Sequence, residues 1–273
     1  MLQIASPEDE SIQDRRDRVD RMVLDEVALE GADLLVLPEL WGAGAFNYRA
    51  FADAAELREG PTLALARGWA ERHHLYVHAG SIVETTDSGA RFNTSLMVDP
   101  RGELIAAYRK VHLFGANEER ELTPGDELAI VDIGGVTAGL ATCYDLRFPE
   151  LFRSILDAGA TMTAICSGWP EKRVEHWRLF TSARAVEDQM YVVACNAVGA
   201  QHGTVLAGAS RVVDPWGAVV VEAGADEGFT YADLDVDLPA QVRAAFPAVD
   251  HRRWPPAPPT GRGASAGDPS TAA

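Results

Sequence analysis

Short apolar runs alternate with longer amphipathic stretches from one end of the chain to the other, which is the pattern of an α/β layered protein without an internal break. Runs rich in branched and aromatic residues predict strands at LQIA near the start and at 33–38, 75–83, 95–99 and 103–109. The series continues at 136–143, 161–167, 191–198, 210–214, 218–223 and 229–236. Between them, helical patterning predicts helices over about 11–30, 61–73, 149–159 and 173–189, with a last one near 238–246. Two strand pairs share a turn, Val98-Asp99-Pro100-Arg101-Gly102 and Val213-Asp214-Pro215-Trp216-Gly217, in which Pro presets φ and Gly takes a conformation other residues avoid. The shared turn reads either as the trace of an internal repeat, each half supplying one sheet, or as ordinary hairpin chemistry. From Pro255 to Ala273 the pattern stops: Pro, Gly, Ala, Ser and Thr fill 17 of 19 positions, too little apolar surface to offset the entropy of ordering. The expected organisation is one domain over 1–254 and a disordered tail over 255–273.

Charge narrows the partners. With 24 basic residues against 41 acidic ones, the formal net charge of −17 repels phosphate backbones and anionic headgroups, so neither nucleic acid nor a membrane surface is expected to bind. The figure is not uniform, because six acids and no bases fall between Glu222 and Asp237, so an anionic small substrate remains admissible where arginines line its entrance. The opening MLQIASPEDESIQDRRDR lacks the basic start and long apolar centre of a signal peptide. No later stretch approaches the roughly 18 to 20 apolar residues of a membrane helix. Three cysteines, an odd and sparse set, argue against a disulfide framework and a four-cysteine zinc site and fit a reducing, cytoplasmic setting. Only Lys110 and Lys172 among the basic residues are lysine, so each either survives by chance or does what arginine cannot.

The three cysteines differ in setting. Cys166 and Cys195 lie inside TMTAICS and YVVACNAV, where a small apolar side chain belongs to a core. Cys143 ends the strand VTAGLAT and precedes Pro149 and Glu150, the first turn of a helix, whose positive end is expected to favour thiolate. A cysteine nucleophile needs a base and a group for the developing oxyanion. Glu39 follows the strand in LLVLPEL and Lys110 closes the strand in AAYRKVHLF, so three reactive side chains sit at three strand ends, 71 and then 33 positions apart. Taken singly, each also reads as an ordinary solvated residue.

The stretches LLVLPELW, YRKVHLF and CYDLRFPELFR, in this order, resemble the carbon-nitrogen hydrolases of the nitrilase superfamily. The likeness continues through HWRLFTSARAVEDQMYVVACNAVG, SRVVDPWGAVV and FPAVDHRR and so covers nearly the whole chain up to the tail. It implies a four-layer αββα sandwich and a triad of Glu39, Lys110 and Cys143, with Glu118 matching a second glutamate near the lysine and Glu119 and Glu121 as close competitors. Glu39, shielded from water, would act as general base toward the thiol, and Lys110 with the backbone N–H of Tyr144 would hold the oxyanion. No metal or organic cofactor is implied, and GAGAF at 42–46 lacks the third glycine of a phosphate loop. The family's first strand has several residues ahead of the LQIA position, so a shortened start would weaken an outer strand and leave the triad intact. Dimers or larger assemblies are implied by resemblance alone.

CYDLRFPE looks like the amidase branches rather than true nitrilases, and SGWPEKRVEHW at 167–177 is similar to ω-amidases acting on 2-oxoglutaramate. Such a substrate carries a carboxylate, for which Arg147 and Arg173 are candidates; Arg147 reads equally as a loop anchor through Asp145 or Glu150. Trp169 with Pro170 forms either a rigid pocket wall or a loop anchor. His176 and Trp177 are expected to pack at a helix interface, and Arg184 with Glu187 to form an ion pair. The alternatives are an amidase of another branch, with deaminated-glutathione-like or N-carbamoyl substrates, a papain-like thiol hydrolase using His112 or His176, and a non-catalytic scaffold.

Overall fold

The computed structural model describes residues 1–253; the Pro255–Ala273 segment lies outside the described residues. Fourteen strands among these residues are β1 Leu2–Gln3, β2 Leu34–Val36, β3 Tyr76–Thr85, β4 Arg91–Val98, β5 Leu104–Arg109, β6 Ile130–Ile133, β7 Val136–Thr142, β8 Met162–Ser167, β9 Tyr191–Asn196, β10 Ala200–Gln201, β11 Thr204–Val205, β12 Arg211–Val213, β13 Val219–Glu222 and β14 Gly228–Phe229. The helices are α1 Ile12–Leu24, α2 Phe51–Ala54, α3 Pro61–His73, α4 Gly115–Glu121, α5 Pro149–Asp157, α6 Val174–Asp188 and α7 Leu238–Ala245.

Two sheets stack face to face, one of order β2-β3-β4-β5 and the other β13-β12-β9-β8-β7-β6. Val19 and Val23 of α1 and Leu63, Ala66 and Trp69 of α3 bury against Leu35, Val77, Leu96 and Val98 of the first sheet. On the second sheet, Phe152 and Ile155 of α5 and Trp177 and Ala185 of α6 cover Leu140, Ala164 and Val193. The layers are therefore helix, sheet, sheet, helix, the αββα sandwich. The first sheet comes wholly from residues 34–109 and the second from 130–222, and each carries one of the shared turns, with Gly102 at φ 78° and Gly217 at φ 86°. Each half thus supplies one sheet, as the repeat reading of that turn requires.

Strand alternation decides what the two sheets show each other. Leu96 and Val98 of β4 point to the helices, while Asn93, Ser95 and Met97 point inward, and Ser95 Oγ meets Thr142 Oγ1 at 2.9 Å and Cys166 Sγ at 3.2 Å across the sheets. The sandwich interior is thus partly polar at the end where β2, β5, β7 and β8 finish.

Helix boundaries follow local chemistry. The Ser11 hydroxyl caps α1 by accepting Asp14 N–H at 3.1 Å, Pro61 and Pro149 open α3 and α5, and His74 and Gln189 end α3 and α6 in the left-handed region. The helix predicted over 11–30 stops at Leu24, because the Glu26 side chain accepts Ala28 N–H and starts a separate 3₁₀ turn at Val27–Leu29. The strand predicted at 229–236 is reduced to Gly228–Phe229, since the two residues of β1 are its pairing partner and the rest carries alternating aspartates. Conversely, β6 was not foreseen, although Gly134 and Gly135, both at positive φ, make the two-residue turn that joins it to β7. Strands β10 and β11 and helices α2 and α4 also lay outside the prediction; all four are seven residues or shorter, below the length at which periodicity is readable.

Gly80 fixes the approach of β3 to the end of β2: at φ 69°, a Cβ there would lie 2.1 Å from the Pro38 carbonyl oxygen. Gly80→Ala is expected to destabilise the fold by more than about 1 kcal/mol, read as a lower denaturant midpoint at unchanged slope.

Candidate active site

Three strand ends deliver the three predicted groups to one cleft of about 390 Å³, whose walls include Glu39, Lys110, Glu118, Cys143 and Tyr144. Glu39 follows β2 on a tight turn: Leu40 sits at φ 46° with its N–H on Ser81 Oγ at 3.0 Å, and Trp41 Nε1 donates to the Ala79 carbonyl at 2.9 Å. Lys110 comes directly after β5, where its N–H donates to the Asn93 carbonyl at 2.8 Å, and the inward orientation of Tyr108 two residues earlier carries it into the sandwich.

The Lys110 ammonium is buried between two carboxylates. Its Nζ donates to Glu39 Oε1 at 2.8 Å and to both oxygens of Glu118 at 3.0 Å. Burial by itself would lower the lysine, but Glu118 and then Glu39 outweigh it and hold Lys110 well above its ordinary range. Glu118, on α4, also accepts Phe114 N–H, whereas Glu119 is exposed and Glu121 pairs with Arg91, so the geometry selects Glu118 from the three neighbouring acids. Glu39 takes two further donors, Asn93 Nδ2 at 2.8 Å and Gly168 N–H at 3.0 Å. Gly168 is required for that approach, since a Cβ there would lie 2.5 Å from Ala45 Cβ of the loop over the cleft.

Cys143 starts a 3₁₀ turn, Cys143–Arg147, at φ 45°, a strained conformation for a residue with a Cβ. The turn is held from beneath by Asp145, fully buried, which accepts Thr142 N–H (2.9 Å) and Tyr108 OH (2.8 Å) on one oxygen and His112 N–H (3.1 Å) and Nδ1 (2.7 Å) on the other. From the far side Arg184 donates to the Leu146 carbonyl at 3.1 and 2.7 Å, in addition to its ion pair with Glu187. The thiol does not behave as its position beside a helix suggested. Burial first, and Glu39 second, push Cys143 well above the ordinary cysteine range, with Lys110 pulling the other way, so the resting group is a thiol and not a thiolate. Cys166 and Cys195 are core residues without exposure, their thiols pushed up to about 12 and about 11 chiefly by burial.

Arg147, Trp169 and Arg173 all face the cleft. Arg147 is not bonded to Asp145 or Glu150; its guanidinium lies over the rings of Trp169 (5.1 Å), Phe180 (5.2 Å) and Tyr144 (5.7 Å), with Nη2 3.3 Å from His176 Nδ1. Arg173 lies over Phe114 at 5.2 Å. Among the described residues neither arginine has an ion-pair partner. Trp169 is both wall and anchor: its N–H donates to Asn196 Oδ1 at 2.6 Å and its Nε1 to the Arg173 carbonyl at 2.7 Å. Trp177 packs inside as expected, with Nε1 on the Ala209 carbonyl, but His176 is exposed, and so is Lys172. Asn93, Gly168 and Asn196 escaped the sequence reading, and Asp145 entered it only as a possible partner of Arg147. For Asn93 the signal was available in its parity with Ser95 and Met97; for the others it was not, since their partners are remote in sequence.

The four-layer fold and the buried acid–ammonium–thiol cleft define a hydrolase of the nitrilase type. The Carbon-nitrogen hydrolase profile matches residues 4–244, and the chain belongs to that family of enzymes. It is 36% identical over 261 residues to a 2-oxoglutaramate amidase of Paenarthrobacter nicotinovorans, covering 92% of this chain and 88% of that one. It is 32% identical to omega-amidase NIT2 of Homo sapiens, covering 84% and 86%. The crystal structure of Saccharomyces cerevisiae Nit3, of branch 10 of the nitrilase superfamily, superposes with a TM-score of 0.83 at 29% identity over 93% of this chain and 95% of that one.

Cys143 is 9% exposed while Cys166 and Cys195 are 0% exposed. Iodoacetamide is therefore expected to alkylate Cys143 at least about tenfold faster than either core thiol, as read by peptide mass spectrometry.

Proposed function

We propose that this enzyme hydrolyses the terminal amide of a small 2-oxo acid, with 2-oxoglutaramate as the reference substrate, giving the carboxylate and ammonia. The observation that carries the reading is the pair of guanidiniums without carboxylate partners among the described residues, Arg147 and Arg173, lining the same cleft as Glu39, Lys110 and Cys143. In a chain of net charge −17, two cations left without acids beside a nucleophile suit a substrate that brings its own carboxylate. Relatives named 2-oxoglutaramate amidase and omega-amidase support the same substrate class.

The steps follow from the groups present. Glu39 accepts the Cys143 proton as the sulfur attacks the amide carbonyl carbon, and the carbonyl electron pair moves to oxygen. The Lys110 ammonium and the Tyr144 N–H, at the unpaired start of the 3₁₀ turn, stabilise that oxyanion. The C–N bond breaks as Glu39 returns the proton to nitrogen, releasing ammonia and leaving a thioester. Water then gives a proton to Glu39 and its hydroxide adds to the thioester carbon; the C–S bond breaks and the proton returns to sulfur. Glu118 keeps Lys110 charged and in place. Trp169 forms the wall against which the substrate chain lies. A Cys–His pair finds no support, because His112 is tied to Asp145 and stacked on Phe148 at 3.7 Å, and His176 meets Arg147.

We place the enzyme in the cytoplasm as a homodimer or larger assembly. Its three cysteines are free, no helix among the described residues is long and apolar enough to cross a membrane, and exposed Leu179, Val186 and Trp216 offer apolar surface to bury.

With 2-oxoglutaramate, ammonia release is expected from the native chain and not from Cys143→Ala; release equal in the two rejects the substrate. Glu39→Gln and Lys110→Met are each expected to lower kcat at least about a thousandfold, whereas a Cys–His enzyme retains most activity in both. Arg147→Gln is expected to raise KM for 2-oxoglutaramate at least about tenfold and to leave KM for an uncharged amide within about twofold.

A further inference from the structure

Asn93 is fully buried, and its Nδ2 lies 2.8 Å from Glu39 Oε1 and 3.1 Å from Glu118 Oε1, the oxygens that also receive Lys110. Its own Oδ1 is buried without a partner. Turning the amide over would set Oδ1 against two anions, so the donors fix its orientation at the expense of an unsatisfied acceptor. We propose that Asn93 is a positioning residue for the base: its neutral amide gives Glu39 and Glu118 a second shared donor, so that both stay ionised around a single ammonium and Glu39 stands ready for the Cys143 proton. The inference rests on Glu39 acting as base toward Cys143.

The choice of residue type follows from charge. Two carboxylates and one ammonium, with side chains no more than 4% exposed, leave the cluster with one negative charge, and that charge is the proton acceptor of the reaction. A second cation in place of Asn93 would neutralise it. An apolar residue would leave two carboxylates to share one ammonium, and a proton would enter the cluster at higher pH. An uncharged double donor avoids both. Its placement comes from the β4–β5 hairpin, where Thr94 pairs with Arg109 and Asn93 therefore stands opposite Lys110, putting amide and ammonium side by side. The other titratable or charged groups lining the same cleft are Cys143, after β7, Tyr144, Arg147, Arg173 and Tyr48, whose phenol is pushed up by burial and by the two glutamates.

The test is the pH dependence of Cys143 alkylation by iodoacetamide, together with kcat and KM for 2-oxoglutaramate, in native enzyme, Asn93→Leu and Asn93→Asp. The leucine removes both donors at similar volume, and the aspartate keeps the shape but adds an anion. In each variant the acid limb of alkylation is expected to rise by at least about one pH unit, from the loss of the hydrogen bonds to Glu39 and Glu118 and, in the aspartate, from the added anion. At pH 7 kcat is expected to fall at least about tenfold while KM changes less than about threefold. Folded variants with an unmoved limb, or a uniform loss of rate without a limb shift, overturn the inference, because a merely structural asparagine gives those results. Glu39→Gln is run beside them. If it leaves alkylation unchanged, the base assignment fails; if it slows alkylation while both Asn93 variants match the native profile, the asparagine inference alone fails. Absence of 2-oxoglutaramate turnover in native enzyme rejects the substrate and leaves the alkylation result standing.

Discussion

An ammonium group cannot be taken out of water without anions to replace its hydration, and the interior of this sandwich is arranged around that requirement. Lys110 is 2% exposed, and the two carboxylates that compensate it come from the turn after β2 and from the short helix α4. Those carboxylates are themselves buried, so the requirement passes outward to Asn93, the Gly168 N–H and the Phe114 N–H. Each recruit constrains a further part of the chain. The hairpin β4–β5 must keep the register that sets Asn93 beside Lys110, residue 168 must lack a Cβ, and α4 must turn Glu118 inward while Glu119 faces water and Glu121 pairs with Arg91.

Cys143 is held by a second, separate set of constraints. Its backbone lies in a region that residues with a Cβ avoid, and the surrounding bonds over-determine it: Asp145 accepts four hydrogen bonds beneath the turn and Arg184 grips Leu146 from α6. The two sets meet only at the cleft. There the burial that makes Lys110 expensive also pushes the Cys143 thiol up, so the nearby helix end does not prevail over desolvation.

The mouth of the cleft has the opposite electrostatic character to the molecule as a whole. Acidic side chains dominate the surface and extend along the 222–237 segment, whereas the entrance carries Arg147 and Arg173 on aromatic faces that stiffen them without neutralising them. Net charge of the whole chain therefore does not describe the cleft entrance.

Much of this was legible in the sequence. Apolar alternation located nearly every long element, the paired Asp-Pro-x-Gly turns marked the hairpin in each half, and Glu39, Lys110 and Cys143 stood out as reactive groups at strand ends, because each of these signals is carried by neighbours within a few positions. Tertiary structure alone decided which of three neighbouring glutamates faces Lys110, that Arg147 lines the cleft rather than bonding Asp145, that the Cys143 thiol is raised rather than lowered, and that Asn93 and Gly168 bond Glu39. Those outcomes depend on desolvation and on distances between residues 8 to 129 positions apart, quantities that no local pattern of residues encodes.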